Sequence, residues 1–227
     1  VYLFYCHADS RMKVLKWLGI VVGTIILLLA LFLFQPWAYL PHKHIEISLP
    51  FAPEYDSRVS LIPMGEKIEH NEANGNPDGH PGIDFGFMGV TPIIASADGW
   101  VFMAGQTATG SIDVTTYSGF YKIEYKELNT IEPDIKRFAR IKKGQLLGYT
   151  GREKIIEGPP TKEDGSGQIH WELASASLLI DRLCPMGYFD AESKRRIEAI
   201  WAAVPADSQF KRDYPDICNG VFKNKED

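Results

Sequence analysis

Between Trp17 and Phe34 the chain runs for 18 residues without a charge, WLGIVVGTIILLLALFLF. No other feature restricts the fold as strongly. Wound as a helix at 1.5 Å per residue, the run is about 27 Å long, close to the hydrocarbon thickness of a bilayer. Apart from Thr24 and the glycines it is apolar on every side, so it lacks the polar face of a soluble surface helix. Trp17 and Trp37 flank it, where interfacial aromatics are expected. Arg11, Lys13 and Lys16 precede it. The positive-inside bias then makes residues 1–16 a cytoplasmic tail, residues 17–34 a transmembrane signal anchor, and the remainder an exported segment. A cleaved signal peptide would have a shorter apolar stretch closed by a small-x-small site, and no convincing one follows Phe34. The expected location is the inner or cell membrane, single-pass, with the main domain periplasmic or extracellular. Whether the anchor is retained, and whether the native start is Val1 or Met12, is open at this level.

The part after residue 34 has 21 basic and 28 acidic residues, a net charge of −7. Binding nucleic acid needs clustered Lys and Arg to neutralise phosphates, so that class is excluded. Residues 35–60 are punctuated by proline and read as a stalk. Residues 61–180 read as the main domain. It opens on the turn-rich NEANGNPDGH and continues as short β-branched and aromatic runs divided by glycine, such as TPIIASADGWVFMAG and SIDVTTYSGFYKIEYKEL. That pattern predicts a mostly β fold, a sandwich or barrel. Residues 181–227 read as a helical extension: Ile197, Ile200, Trp201 and Val204 recur at helical spacing behind Asp190, a suitable N-cap. Cys184 and Cys218 lie on the exported side, where a bridge and two free thiols are both compatible with the sequence.

Two of the six histidines stand apart from ordinary surface residues. In GHPGIDF, His80 and Asp84 are four apart with Gly82 between them. On a strand all three would share a face, and the glycine would clear room for an ion. His170 sits in QIHWEL, a half-buried strand pattern. Two imidazoles and one carboxylate form a sensible open zinc site, with a fourth position left for water. Tyr117, Tyr121 and Tyr125 fall in strand-like sequence, where packing and the lining of a groove are both open.

The order GHPGIDF, TPIIASADGWV, IKKGQLLGYTG and QIHWEL resembles the lysostaphin-type (LytM-like) zinc metallopeptidases. Their pattern runs G-x-H-x-G-x-D, G-T-P-V-x-A-x-x-x-G-x-V, V-x-x-G-Q-x-I-G-x-x-G and H-L-H-F-E. The resemblance covers roughly residues 75–175. It implies the β-rich duplicated hybrid motif, a single Zn2+ held by His80, Asp84 and His170, and peptidoglycan peptide as substrate. Two non-ligand catalytic histidines of the family are replaced. Gln168 stands at the first histidine of H-x-H. In Tyr125-Lys126-Glu127-Leu128, Glu127 stands at the histidine of Y-x-H-L. The expectation is a rewired metallopeptidase, with Glu127 as general base and Gln168 as a donor to the oxyanion. The alternative is a binding or regulatory module for the cell wall or for a cell-wall hydrolase partner. Glu172 matches the family's glutamate and is expected to orient a ligand or tie a strand. A charged insertion, residues 152–166, is expected at the rim of the site.

Overall fold

The computed structural model describes residues 2–34, 44–67, 78–108, 110–151, 167–176 and 181–223. The insertion at 152–166 lies outside the described residues. The chain forms two units. The first is helix α1, Tyr2–Phe34. Its segment Met12–Leu33 is long and apolar enough to cross a membrane, and none of it is buried against protein. At 1.5 Å per residue those 22 residues span about 33 Å.

The second unit is mostly antiparallel β. Its strands are β1 (Val59–Ile62), β2 (Ile83–Phe87), β3 (Thr91–Ile94), β4 (Gly99–Gln106), β5 (Ile112–Ser118), β6 (Tyr121–Leu128), β7 (Thr130–Ile131), β8 (Arg140–Ile141), β9 (Leu146–Thr150) and β10 (Gly167–Ser175). One sheet has seven strands in the order β1-β2-β10-β6-β5-β4-β8, and a second has three in the order β3-β9-β7. The strand alternation is what sorts core from site. On β10, Ile169, Trp171 and Leu173 are buried in the core, while Gln168, His170 and Glu172 point to the other face. On β2 the same period buries Ile83, Phe85 and Phe87 and leaves Asp84 opposite. On β6 it buries Ile123 and Tyr125 and turns Lys122, Glu124 and Lys126 to the face of Asp84 and His170. Trp171 is fully buried, as a core residue should be, and Tyr125 is too. The Tyr125 hydroxyl accepts a hydrogen bond from the Ser96 N–H at 2.7 Å, tying the large sheet to the segment that follows β3.

Helix α2 runs Ala191–Ala202. The Asp190 carboxylate accepts from the Ser193 N–H at 2.8 Å, and Ile197, Ile200 and Trp201 face the core, as their spacing requires. A short helix α3, Gln209–Asp213, follows.

The expected stalk is corrected in its second half. Residues 35–43 lie outside the described residues, but Ile47, Leu49 and Phe51 are fully buried. The Leu49 N–H donates to the Ser193 hydroxyl, and Arg196 forks onto Asp56 while also donating to the Phe51 carbonyl. Proline punctuation marked where this segment turns, and its alternating apolar residues belong to the domain. The C-terminal extension is likewise part of the same unit. Cys184 and Cys218 form a disulfide, with their Cα atoms 5.9 Å apart.

Candidate metal centre

His80 lies in the bend that precedes β2, so the strand geometry expected for residues 80–84 holds only for Asp84. Backbone hydrogen bonds hold the bend instead: the His80 N–H donates to the Glu66 carbonyl, and the Gly65 N–H to the His80 carbonyl, both at 2.8 Å. Asp84 and His170 are direct neighbours in the β2–β10 ladder. Gly82 does clear space, but for protein. A Cβ there would stand 2.5 Å from the Trp171 carbonyl oxygen and 2.8 Å from the Glu172 Cγ.

Three ligand atoms converge. His80 Nε2 is 2.9 Å from His170 Nδ1 and 3.0 Å from Asp84 Oδ1, and His170 Nδ1 is 2.7 Å from the same oxygen. Among the described residues this is the one group of three able to hold a metal ion. Tetrahedral zinc with bonds of about 2.0–2.1 Å sets its ligand atoms about 3.3 Å apart, so the triangle needs to open by only a few tenths of an ångström. The donor set and its spacing fit zinc.

The opposite nitrogen of His170 is braced. Its Nε2 lies 2.7 Å from Glu172 Oε1, and Glu172 also binds Lys126 Nζ and, at 3.0 Å, Arg182 Nε. A carboxylate behind the ring fixes which nitrogen faces the metal. Residues 78–181 match Peptidase family M23. This segment is an M23 peptidase domain.

Several solved structures align with part of the chain. Csd3 of Helicobacter pylori aligns at 18% identity and TM-score 0.48, over 76% of this chain and 44% of that one. A zinc-containing peptidase from Vibrio cholerae aligns at 20% identity and TM-score 0.42, over 59% and 38%. Lysostaphin from Staphylococcus simulans aligns at 17% identity and TM-score 0.45, over 72% and 60%. The chain thus spans less than half the length of the first two. No curated protein matches the sequence.

Within the M23 domain, Gln168 touches the ligand cluster and Glu127 is joined to it through Gln168. The Gln168 side-chain amide donates to Asp84 Oδ2 and to Glu127 Oε2, each at 3.0 Å. Glu127, next to last in β6, has a left-handed conformation, φ 70°, and its N–H donates to the Asp113 carboxylate. Burial raises the Glu127 pKa above the ordinary carboxylate value and the Asp84 charge adds to that, while His170 and Gln168 oppose it. A cavity of about 640 Å3, lined in part by Arg58, Ser60, Gly86, Met88 and Gln168, borders the Gln168 side. Lys126 and Arg182 carry no motif in the sequence that ties them to the site. Lys126 was legible only as the β6 residue opposite His170, and Arg182 reaches Glu172 from beyond the end of β10.

Without metal, burial pushes the His170 pKa down, but hydrogen bonds with Asp84 and Glu172 outweigh it and lift it to about 9. Burial would raise Asp84, yet hydrogen bonds from His170 and His80 bring it to about 2. The sign follows. A raised imidazole stabilises the metal-free domain fully below its unfolded value of about 6.5, and that contribution is lost as pH rises through about 9. A metal must displace the proton from His170 Nδ1. Zinc uptake at pH 7.5 is therefore expected to release about one proton from His170, falling toward none above about pH 9. Calorimetry in buffers of different ionisation enthalpy reads this directly, and release that does not change across that range contradicts it.

Proposed function

We propose that the domain is a membrane-anchored zinc metallopeptidase that hydrolyses cell-wall peptides with a rewired proton-transfer group. The observation that carries this reading is the triangle of His80 Nε2, Asp84 Oδ1 and His170 Nδ1, with sides of 2.7–3.0 Å, to which Gln168 links Glu127 through Asp84. Zinc held by these three would polarise a peptide carbonyl and bring the pKa of its water to about 7. Glu127 accepts the proton of the attacking water at a carboxylate oxygen, and its raised pKa suits it to pass that proton to the leaving amine. Gln168 holds the Glu127 carboxylate in place. To serve as an oxyanion donor as well, its amide must first release Asp84 or Glu127. Arg11, Lys13 and Lys16 support an orientation in which α1 leaves the domain outside the cytoplasm, on the side of the cell wall.

Metal analysis of the full chain, with peptidoglycan digests read by mass spectrometry, tests the reading. One zinc per chain and new peptide ends are expected. Glu127→Gln should keep the zinc and lose turnover by about 10²–10⁴-fold, the share of a positioned base. Undiminished turnover in that variant removes Glu127 from the chemistry. Zinc without new ends in the native chain supports the alternative, a module that grips cell-wall peptide or a hydrolase partner.

A further inference from the structure

The face that carries Asp84, His170 and Glu172 continues across the large sheet. In register, Glu172 neighbours Glu124, which neighbours Thr115, which neighbours Met103. One row further along, Ala174, Lys122, Tyr117 and Trp100 are neighbours in turn. The ligand triad and the side chains of β4 therefore look out from the same side.

At the β4 end the surface changes character. A bulge between Val101 and Met103 breaks the alternation and leaves Trp100, Phe102 and Met103 all about half exposed. Phe138 is 60% exposed and sits at φ 69°, a conformation that costs a phenylalanine and persists only where the surroundings hold it. The rings form a chain. Trp100 lies 6.3 Å from Phe138, Phe102 lies 5.3 Å from Tyr117, and the Arg137 guanidinium stacks on both Phe138 and Phe102. A cavity of about 570 Å3 opens among Trp100, Tyr117 and Phe138, with Asp98, Arg140 and Lys142 also on its wall.

We propose that this cavity is a sugar subsite, so that the domain takes its peptide while the peptide is still joined to a glycan. The inference rests on the metallopeptidase reading and names its substrate more closely. Sugar rings have apolar C–H faces that pack on aromatic rings, and a rim of hydroxyls that both donate and accept hydrogen bonds. The cavity offers the same pairing: Trp100, Tyr117 and Phe138 for the faces, and on its wall Arg140 and the exposed Asp98–Lys142 ion pair (2.9 Å), whose remaining lone pairs and N–H groups accept and donate. A bilayer surface is a poorer occupant, because it cannot fill a concave cavity and gains nothing from Asp98. The span agrees as well. Four residues along β6 and three strand spacings from β10 to β4 separate the cavity from His170 by about 20 Å. An extended peptide of about five or six residues bridges that distance.

The test uses the full chain in nanodiscs of zwitterionic lipid, with a β-1,4-linked N-acetylglucosamine tetramer as probe. Saturation-transfer NMR should show the tetramer bound to the native chain. Trp100→Ala and Phe138→Gly should each weaken it by about tenfold or more. Glycine relieves the left-handed strain at 138, so that variant should melt no lower than the native chain while losing the sugar, and its zinc content should stay the same. Stripping zinc with a chelator should leave tetramer binding unchanged. Tetramer binding by a chain that takes up no zinc even when zinc is supplied removes the metallopeptidase reading and keeps the subsite. A native chain with zinc that ignores the tetramer overturns the subsite. So does binding that survives both substitutions, and so does quenching of Trp100 by brominated lipid.

Discussion

Replacing His170 with alanine is expected to strip the domain of zinc while leaving it folded. His170 supplies one of three ligand atoms, and no other imidazole or thiolate joins the cluster among the described residues. Structural zinc held by four protein ligands is worth about 10–16 kcal/mol, or about 2.5–4 kcal/mol for each, so losing one ligand weakens affinity by about 10²–10³-fold. The fold should stand for two reasons. His170 lies on the face of β10 that points away from the core, and Glu172 keeps its partners Lys126 and Arg182 after the imidazole has gone. Titration with a chromophoric zinc competitor, paired with thermal unfolding, measures both parts. Native-like zinc affinity in the variant would show that the three side chains do not form the metal site.

Reducing the Cys184–Cys218 bridge should produce the largest change in stability, and should reach the metal site as well. The bridge closes a loop of 34 residues, for which chain-entropy arguments give about 3–4 kcal/mol. In a unit of this size that lowers the melting temperature by about 10 °C. The route to the metal is short. Next to Cys218, the Asn219 N–H donates to the Met64 carbonyl at 2.9 Å, and the Asn219 side-chain amide donates to the same oxygen at 3.2 Å. Gly65 then donates to the His80 carbonyl. Gly65 has no room to adjust, since a Cβ on it would lie 2.4 Å from the Asn219 oxygen. With the bridge open, residues 218–219 are freer to leave Met64, and the bend that presents His80 loosens. Calorimetry with and without reductant, and for Cys184→Ala with Cys218→Ala, should show the drop in melting temperature together with weaker zinc affinity. An unchanged affinity at the lower melting temperature would confine the bridge to stability.

Much of this molecule is local in origin and therefore readable along the chain. The span in α1 needs no tertiary partner, because length and unbroken apolarity are enough. The period of two in QIHWEL sends Ile169, Trp171 and Leu173 one way and Gln168, His170 and Glu172 the other, so the site face of β10 follows from residue order. Helix α2 and its Asp190 cap follow from spacing in the same way. Other features depend on partners far away in sequence. Residues 44–60 looked like linker because prolines report turns, and only packing against α2 shows that Ile47, Leu49 and Phe51 are core. His80 reads as a strand residue in the sequence, yet long-range backbone bonds to Gly65 and Glu66 place it in a bend. Lys126 and Arg182 look like ordinary surface cations until the β6–β10 register and the turn after β10 bring both to Glu172. The aromatic cavity needs a bulge in β4 and a left-handed Phe138 almost forty residues away, which no periodicity reports. Patterns within one element are set by backbone geometry. Contacts between elements are set by which surfaces the whole chain can bury together.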